Sequence, residues 1–119
     1  MSGAALITGG AKRIGAAITR AIAGGGTPVV IHYRSAADEA EALARAITDA
    51  GGAAYTIGAD LADNAAVGSL IARAEALAGP IDVLVNNASH FIFDQAATVT
   101  SDSIAAHIAP NLTAPVILA

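Results

Sequence analysis

Thr8-Gly9-Gly10-Ala11-Lys12-Arg13-Ile14-Gly15 is the stretch of this sequence that decides the fold, because it joins a short apolar run to an Ala/Ile-rich segment. Glycines let the chain turn tightly after a strand and bring its backbone close to a ligand. The free N–H groups at the start of the next helix attract an anion such as a pyrophosphate. The stretch predicts a dinucleotide site, although a glycine loop alone also fits a plain strand-to-helix turn.

Strands and helices alternate along the chain on both sides of this loop. Short apolar runs predict strands at residues 4–8, 28–33, 53–58 and 81–85. Helical spacing marks one apolar face in each of three helices between them: Ile14, Ile18 and Ile22; Ala40, Leu43, Ala44 and Ile47; Val67, Leu70, Ile71, Ala74 and Leu77. Ser35 with Asp38 predicts a capping box for the second helix, and Asp63 predicts the cap of the third.

The alternation predicts an α/β fold of the Rossmann type, a doubly wound parallel sheet that is partial and has strand order 3-2-1-4. Apolar strands without strict alternation are typical of a parallel sheet covered by helices on both faces. In such sheets a ligand binds beyond the carboxyl ends of the strands where the strand order reverses, here between strands one and four.

Composition limits the function classes. The 119 residues carry a formal net charge of −4 and contain no basic run with interleaved aromatics, so we expect no nucleic-acid partner. The apolar runs are strand-length, so no membrane span is predicted. The chain has no cysteine and its three histidines lack metal-ligand spacing, so no metal site is expected. Absence of cysteine allows the reducing cytosol, and we expect a cytoplasmic protein.

The segment after the fourth strand changes character. Residues 86–97 are polar and aromatic, and an apolar helical face follows from about residue 101: Ile104, Ile108, Leu112 and Val116. The last residues, 116–119, are apolar and carry no helix stop signal. We therefore expect residues 1–119 to be a dinucleotide-binding Rossmann domain, the N-terminal part of a longer single-domain fold.

Four motifs in order give the chain a family resemblance. They are Thr8-Gly9 with Gly15, Asp60-Leu61 after the third strand, Asn86-Asn87-Ala88 after the fourth strand, and Asn111-Leu112 in the last helical segment. In this arrangement the chain resembles the short-chain dehydrogenase/reductase family. The resemblance implies that Gly9, Ile14, Gly15, Asp60, Leu61, Asn87 and Ala88 contact the cofactor, with Asp60 near the adenine. It also implies a catalytic role for Asn111 in holding a proton-relay water.

Within that family the sequence is most similar to the pteridine reductase branch. Arg13 stands where glycine is usual, and Ser89-His90-Phe91 follows the fourth-strand motif. The resemblance implies that Phe91 stacks on a pterin and that Ser89 and Arg13 make polar contacts to substrate and cofactor. A flat heteroaromatic ring does favour an aromatic partner. The alternative for Phe91 is a loop side chain that anchors onto the core.

The end of the second strand indicates NADPH as the cofactor. An NAD enzyme usually has an acidic residue there for the ribose hydroxyls, whereas this chain has His32-Tyr33-Arg34-Ser35 and no carboxylate before Asp38. Tyr33, Arg34 and Ser35 are therefore predicted cofactor residues. Arg34 and Arg13 are expected to bind the 2′-phosphate, with Ser35 joining them unless it caps the helix. The alternative for Arg34 is a solvated surface charge.

The resemblance implies a small-molecule substrate and a homo-oligomer, dimer or tetramer, for the full-length protein. The family's catalytic Tyr-x-x-x-Lys does not occur in these residues, since Tyr33 and Tyr55 are followed four positions on by Ala37 and Ala59. We expect an NADPH-dependent oxidoreductase that transfers hydride to a carbonyl or a pterin C=N bond. The alternatives are a 3-oxoacyl or small-alcohol reductase and a non-catalytic dinucleotide-binding module.

Overall fold

The computed structural model describes residues 3–88 and residue 118 of the chain. Strands and helices alternate in the order β1 (Ala4–Ile7), α1 (Arg13–Gly24), β2 (Val29–Tyr33), α2 (Ala37–Asp49), β3 (Ala54–Gly58), α3 (Asn64–Ala78) and β4 (Ile81–Val85). The four predicted strands and three predicted helices in this part of the chain are therefore confirmed, with ends that shift by one or two residues.

The four strands form one parallel sheet in the order β3-β2-β1-β4. Leu6 in the centre of β1 is paired with Val30 of β2 on one side and with Leu84 of β4 on the other. Because β1 lies between strands two and four of the sequence, the strand order reverses beside it. The predicted order and its reversal point are confirmed.

Each face of the sheet has its own buried cluster. Leu6 and Val30 point to the side that α3 covers with Val67, Leu70 and Ala74. The neighbouring strand residues Ala5, Ile7, Val29 and Ile31 point to the other side, where α2 packs through Ala40, Leu43 and Ile47, with Ile18 and Ile22 of α1 at its margin. Full burial of one Leu or Ile side chain contributes about 1.5–3 kcal/mol, so these two clusters hold the sheet between its helices.

The face predicted for the first helix is confirmed at Ile18 and Ile22, which pack against the core, and is wrong at Ile14. Ile14 is 71% exposed, while Gly15 and Thr19 are the buried residues of α1. The Thr19 hydroxyl donates to the backbone oxygens of Gly10 and Gly15 at 3.1 and 2.8 Å. The small side chains face inward because α1 begins in close contact with the glycine loop, and Ile14 is left at the surface.

Two further sequence predictions are wrong in detail. Ser35 and Asp38 do not form a capping box, because α2 begins at Ala37 after Ala36, which makes no side-chain cap bond. Asp38 therefore lies in the first turn, where its charge favours the helix dipole. Leu77 is 44% exposed at the end of α3 rather than buried. The cap at Asp63 is confirmed: its Oδ1 accepts from the N–H groups of Ala65 and Ala66.

Candidate functional site

Thr8 joins the carboxyl ends of β1 and β4. Its side chain is buried, and its Oγ1 accepts from the N–H groups of Asn87 and Ala88, both at 3.0 Å. The same hydroxyl donates to the Val85 oxygen at 3.3 Å. One side chain thus fixes the chain just after β4 against the start of the glycine loop, which confirms that these two segments meet at one edge of the sheet.

Gly9, Gly15 and Asn87 meet at close range in this corner. The Asn87 Nδ2 donates to the Gly9 oxygen at 3.1 Å, and Gly9 has a φ of +62°. A Cβ atom on Gly15 would overlap the Gly9 oxygen and lie 2.6 Å from the Asn87 Nδ2. Glycine is favoured at Gly9 by its left-handed backbone and by the Ala88 Cα, which would lie 3.0 Å from a Cβ there, and it is required at Gly15 by this contact. The glycine loop, the first turn of α1 and the end of β4 therefore form a cradle that any Cβ on Gly15 would fill.

His32 holds the glycine loop from the β2 side. Its Nδ1 accepts from the Gly9 N–H at 3.0 Å, its Nε2 lies 2.8 Å from the Ala59 oxygen, and its backbone oxygen accepts from the Gly10 N–H at 3.0 Å. Desolvation by burial lowers the pKa of His32, although the hydrogen bond to Ala59 acts in the opposite direction. The ring is therefore neutral at physiological pH.

The amino end of α1 supplies unpaired helix donors at the same edge. The first helical hydrogen bond runs from the Ala16 N–H to the Lys12 oxygen, so the N–H groups of Arg13, Ile14 and Gly15 precede it. Such donors, together with the positive end of the helix dipole, are suited to a phosphate. Arg13 and Ile14 are both exposed there, so a ligand can reach them.

Arg34 and Asp60 lie beside one another beyond β2 and β3. The Arg34 Nε is 3.9 Å from the Asp60 Oδ1, and both side chains are more than half exposed. An exposed pair at this separation contributes at most about 1 kcal/mol, so the guanidinium can exchange this partner for an anionic ligand. The Asp60 Oδ1 also accepts from the Ala62 N–H at 2.9 Å, which fixes the turn after β3.

The other predicted residues at this end of the site differ in how they face solvent. Ser35 is exposed and does not cap α2, which leaves its hydroxyl available to a ligand. Tyr33 is half-buried at the end of β2. Its ring packs over Gly58, where a Cβ atom would lie 3.1 Å from the ring atoms. The Leu61 side chain is buried in the core cluster on the α3 side, so only its backbone could contact a nucleotide.

Three predicted residues, Ser89, Phe91 and Asn111, lie outside the described residues. Within residues 3–88, no group of three or more His, Asp or Glu side chains is placed to hold a metal ion, and no helix is long and apolar enough to cross a membrane.

The two side chains that organise this corner are not predicted by the sequence motifs. The glycine motif includes Thr8 without giving its hydroxyl a role, and the spacing of the histidines says only that His32 is not a metal ligand. The sequence contains a signal for each residue. Thr8 places a hydroxyl at the end of an apolar strand, and His32 is a polar residue that directly follows the apolar run Val29-Val30-Ile31. A buried polar group of this kind needs a hydrogen-bond partner.

The parallel sheet, its order reversal beside β1 and the glycine loop at that point define a Rossmann-type α/β chain. The chain belongs to the short-chain dehydrogenase family, whose model matches residues 3–119.

Relatives and solved structures agree with this assignment. An uncharacterized oxidoreductase of Methylorubrum extorquens is 40% identical over 98 residues, which are 82% of this chain and 40% of that protein. The FolM alternative dihydrofolate reductase 1 of Brucella suis, crystallised with NADP, is 44% identical with a TM-score of 0.91 over 96% of this chain and 47% of that one. A blue fluorescent protein from a metagenomic library, in complex with NADPH, is 37% identical with a TM-score of 0.92 over 98% of this chain and 48% of that one. The chain thus spans less than half the length of each of these proteins.

Proposed function

We propose that this chain carries the nucleotide-binding half of an NADPH-dependent oxidoreductase. The observation that supports this most is the meeting of the glycine loop, the end of β4 and the start of α1 at one edge of the sheet, with Arg34 rather than a carboxylate following β2. Two of the solved structures named above, with TM-scores above 0.9, are complexes with NADP or NADPH. By similarity to these two structures, we propose that this chain binds the same cofactor.

The pyrophosphate is proposed to bind the free N–H groups of Arg13, Ile14 and Gly15, beside the cradle formed by Gly9 and Asn87. Ala88, whose backbone Thr8 fixes, is proposed to border the nucleotide on the β4 side. When bound, the nicotinamide supplies hydride to the substrate. The residues of this chain bind and orient the cofactor, and the narrow approach at Gly15 keeps its backbone donors close to the phosphates.

The adenosine end is proposed to lie along Tyr33, Arg34, Ser35, Asp60 and the backbone of Leu61. Arg34 would leave Asp60 for the 2′-phosphate, because a guanidinium binds phosphate oxygens in a bidentate manner. Arg13 and the free hydroxyl of Ser35 are the proposed second and third partners of the same phosphate. Asp60, released from Arg34, is then available to the adenine amino group.

The nucleotide preference tests this arrangement. Losing a charge-assisted pair costs about 1.5–3 kcal/mol, so Arg34→Asp should weaken NADPH binding by at least roughly tenfold. NADH lacks the 2′-phosphate, so its dissociation constant should change little. Arg45→Asp is the matched control, because Arg45 is an exposed arginine in α2 whose replacement makes the same change in net charge. Equal losses of NADPH and NADH in Arg34→Asp would contradict the assignment.

The substrate is proposed to be a carbonyl compound or a pterin. The resemblance to the pteridine reductase branch supports the pterin, as does the name of the Brucella suis neighbour. In this proposal Phe91 stacks on the pterin ring, Ser89 makes a polar contact to it, and Asn111 holds a water that relays protons. Substrate protonation is assigned to a Tyr-x-x-x-Lys segment of the longer protein, which we propose to be a cytoplasmic homo-oligomer, dimer or tetramer.

Phe91→Ala separates the pterin from a simple carbonyl substrate. Loss of a stacked aromatic ring removes about 0.5–1.5 kcal/mol beyond buried area, so the KM for a pterin should rise severalfold while the KM for NADPH stays unchanged. Phe91→Tyr is the control, because it keeps the aromatic face. An unchanged pterin KM, with turnover of a 3-oxoacyl compound or a small ketone instead, would favour the general reductase. Nucleotide binding without turnover of any of these in the full-length protein would favour a non-catalytic module.

A further inference from the structure

His32 is placed to control the glycine loop rather than only to fill the core. Its ring is 1% exposed and lies on β2, between β1 and β3. It bonds to the segment that follows each neighbouring strand, to Gly9 after β1 and to Ala59 after β3. A single side chain thus spans the carboxyl edge of three adjacent strands, where the nucleotide is proposed to bind.

The direction of each hydrogen bond follows from proton counting. The Gly9 N–H can only donate, so the His32 Nδ1 must carry a lone pair. The ring proton therefore lies on Nε2 and is donated to the Ala59 oxygen. Both ring nitrogens are occupied, so His32 is neither a proton donor to a substrate nor a metal ligand.

The backbone of His32 completes the hold on the loop. Its oxygen accepts from the Gly10 N–H, so one residue takes two successive amide protons of the glycine loop. This turns the N–H groups of Gly9 and Gly10 toward β2, while Gly9 takes its left-handed backbone. The N–H groups of Gly9 and Gly10 are therefore turned away from an anion at this edge, whereas those that begin α1 are not.

We propose that His32 is a positioning residue for the nucleotide, which it serves by fixing Gly9 through the Nδ1 atom. The inference rests on the proposed nucleotide site. The bond to Gly9 sets the shape of the loop under the pyrophosphate, whereas the bond to Ala59 ties β2 to the segment after β3. Only the first of these two bonds should govern nucleotide affinity, and both should contribute to stability.

Two substitutions of His32 separate its bond to Gly9 from its bond to Ala59, because they place a polar atom at different distances from the Cα atom. The Asn Oδ1 lies at the same number of bonds from Cα as the His Nδ1, so His32→Asn keeps an acceptor for the Gly9 N–H. The Gln Nε2 reaches about as far as the His Nε2, so His32→Gln keeps a donor for the Ala59 oxygen. Each variant retains one of the two bonds and loses the other.

The experiment measures the dissociation constants of NADPH and NADH, together with the free energy of unfolding, for the intact wild-type protein and both variants. His32→Asn should bind both nucleotides within about threefold of wild type, and His32→Gln about tenfold more weakly, because its Gly9 N–H is left without a partner in a buried position. Both variants should be less stable than wild type by similar amounts. A purely structural role would make affinity follow stability in both variants.

Equal nucleotide affinities in the two variants would overturn the positioning role while leaving the proposed function intact. Failure of the wild-type protein to bind either nucleotide would overturn the proposed function and, with it, this inference. The two failures are therefore distinguishable in one set of titrations.

If His32→Gln does not fold, the test compares how the nucleotide affinities of wild type and His32→Asn change with pH. Protonation removes the Nδ1 lone pair, so the NADP⁺ dissociation constant of wild type should rise more than that of His32→Asn as the pH falls through the lowered pKa of folded His32. The two proteins share the charged groups of the bonded segments, Lys12, Arg13, Arg34 and Asp60, and the buried residues of α3 are apolar. Parallel pH curves on both sides of that pKa would overturn the inference.

Discussion

Arg13 combines backbone strain with a charge at the start of α1. Its φ of +53° is the only positive value at a non-glycine residue within residues 3–88. A left-handed conformation costs an ordinary L-residue roughly 1–2 kcal/mol, and such residues cluster at ligand sites. Glycine would adopt this backbone without strain, so the arginine must contribute something that offsets the cost. Its guanidinium beside the proposed phosphate site is the evident candidate.

Replacing Arg13 by glycine and by alanine separates the backbone from the side chain. Arg13→Gly removes the strain and the charge, whereas Arg13→Ala removes the charge alone. We expect the glycine variant to exceed the alanine variant in free energy of unfolding by about 1 kcal/mol, measured by denaturant titration. Both variants should lose the same part of the preference for NADPH over NADH. Unequal nucleotide preferences, or equal stabilities, would contradict this separation.

The parts of the candidate site that could be predicted from the sequence are those for which the residue type alone indicates the function. A glycine loop, an arginine in place of a carboxylate after β2, and an Asn-Asn-Ala segment after β4 are legible in the sequence. The roles of Thr8 and His32 depend on which backbone groups meet across the sheet, up to 80 residues apart along the chain. Such pairings follow from strand register, which no local pattern specifies.

At the scale of elements, the joint between β1 and β4 depends on the hydroxyl of Thr8. The buried Oγ1 holds the N–H groups of Asn87 and Ala88 and bonds the Val85 oxygen. Thr8→Val keeps the shape but removes the acceptor, which leaves the Ala88 N–H without this partner. We expect a loss of about 2–3 kcal/mol in the free energy of unfolding and weaker NADPH binding.

Thr8→Ser is the matched control for this joint, because it keeps the hydroxyl and removes only a methyl group. It should bind NADPH as wild type does and lose about 1 kcal/mol at most of unfolding free energy. If Thr8→Val matched Thr8→Ser in both measurements, the hydroxyl would not be what holds the end of β4.

The elements themselves were predictable because apolar periodicity is strong in this chain. The start of the α1 face and the cap of α2 were not. Ile14 continues the four-residue spacing of Ile18 and Ile22, which do pack on the core, yet where α1 begins beside the glycine loop it is Gly15 that is buried and Ile14 that is exposed. In α2 the backbone enters the helix two residues after Ser35, so the Ser/Asp spacing matches a capping box without forming one.

For the whole molecule, the stability of the fold and the shape of the site depend on the same neutral imidazole. Burial lowers the pKa of His32 below its usual 6.5, so the unfolded chain takes up a proton at a higher pH than the folded one does. Between these two pKa values the unfolded state holds more protons. The contribution of His32 to stability is therefore complete above pH 6.5 and is lost as the pH falls toward the lowered pKa of the folded state.

We expect the free energy of unfolding of the wild-type protein to fall as the pH is lowered from 7.5 through 6.5, measured by denaturant titration at each pH. His32→Asn has no group that titrates at this position, so its stability should fall less over the same range. Taking the difference between the two proteins cancels the carboxylates and the other two histidines, His90 and His107, which both proteins contain. Parallel stability curves would mean that the folded protein holds His32 as readily protonated as the unfolded chain does. In that case the Gly9 N–H could not be bonded to a lone pair at Nδ1 throughout this range.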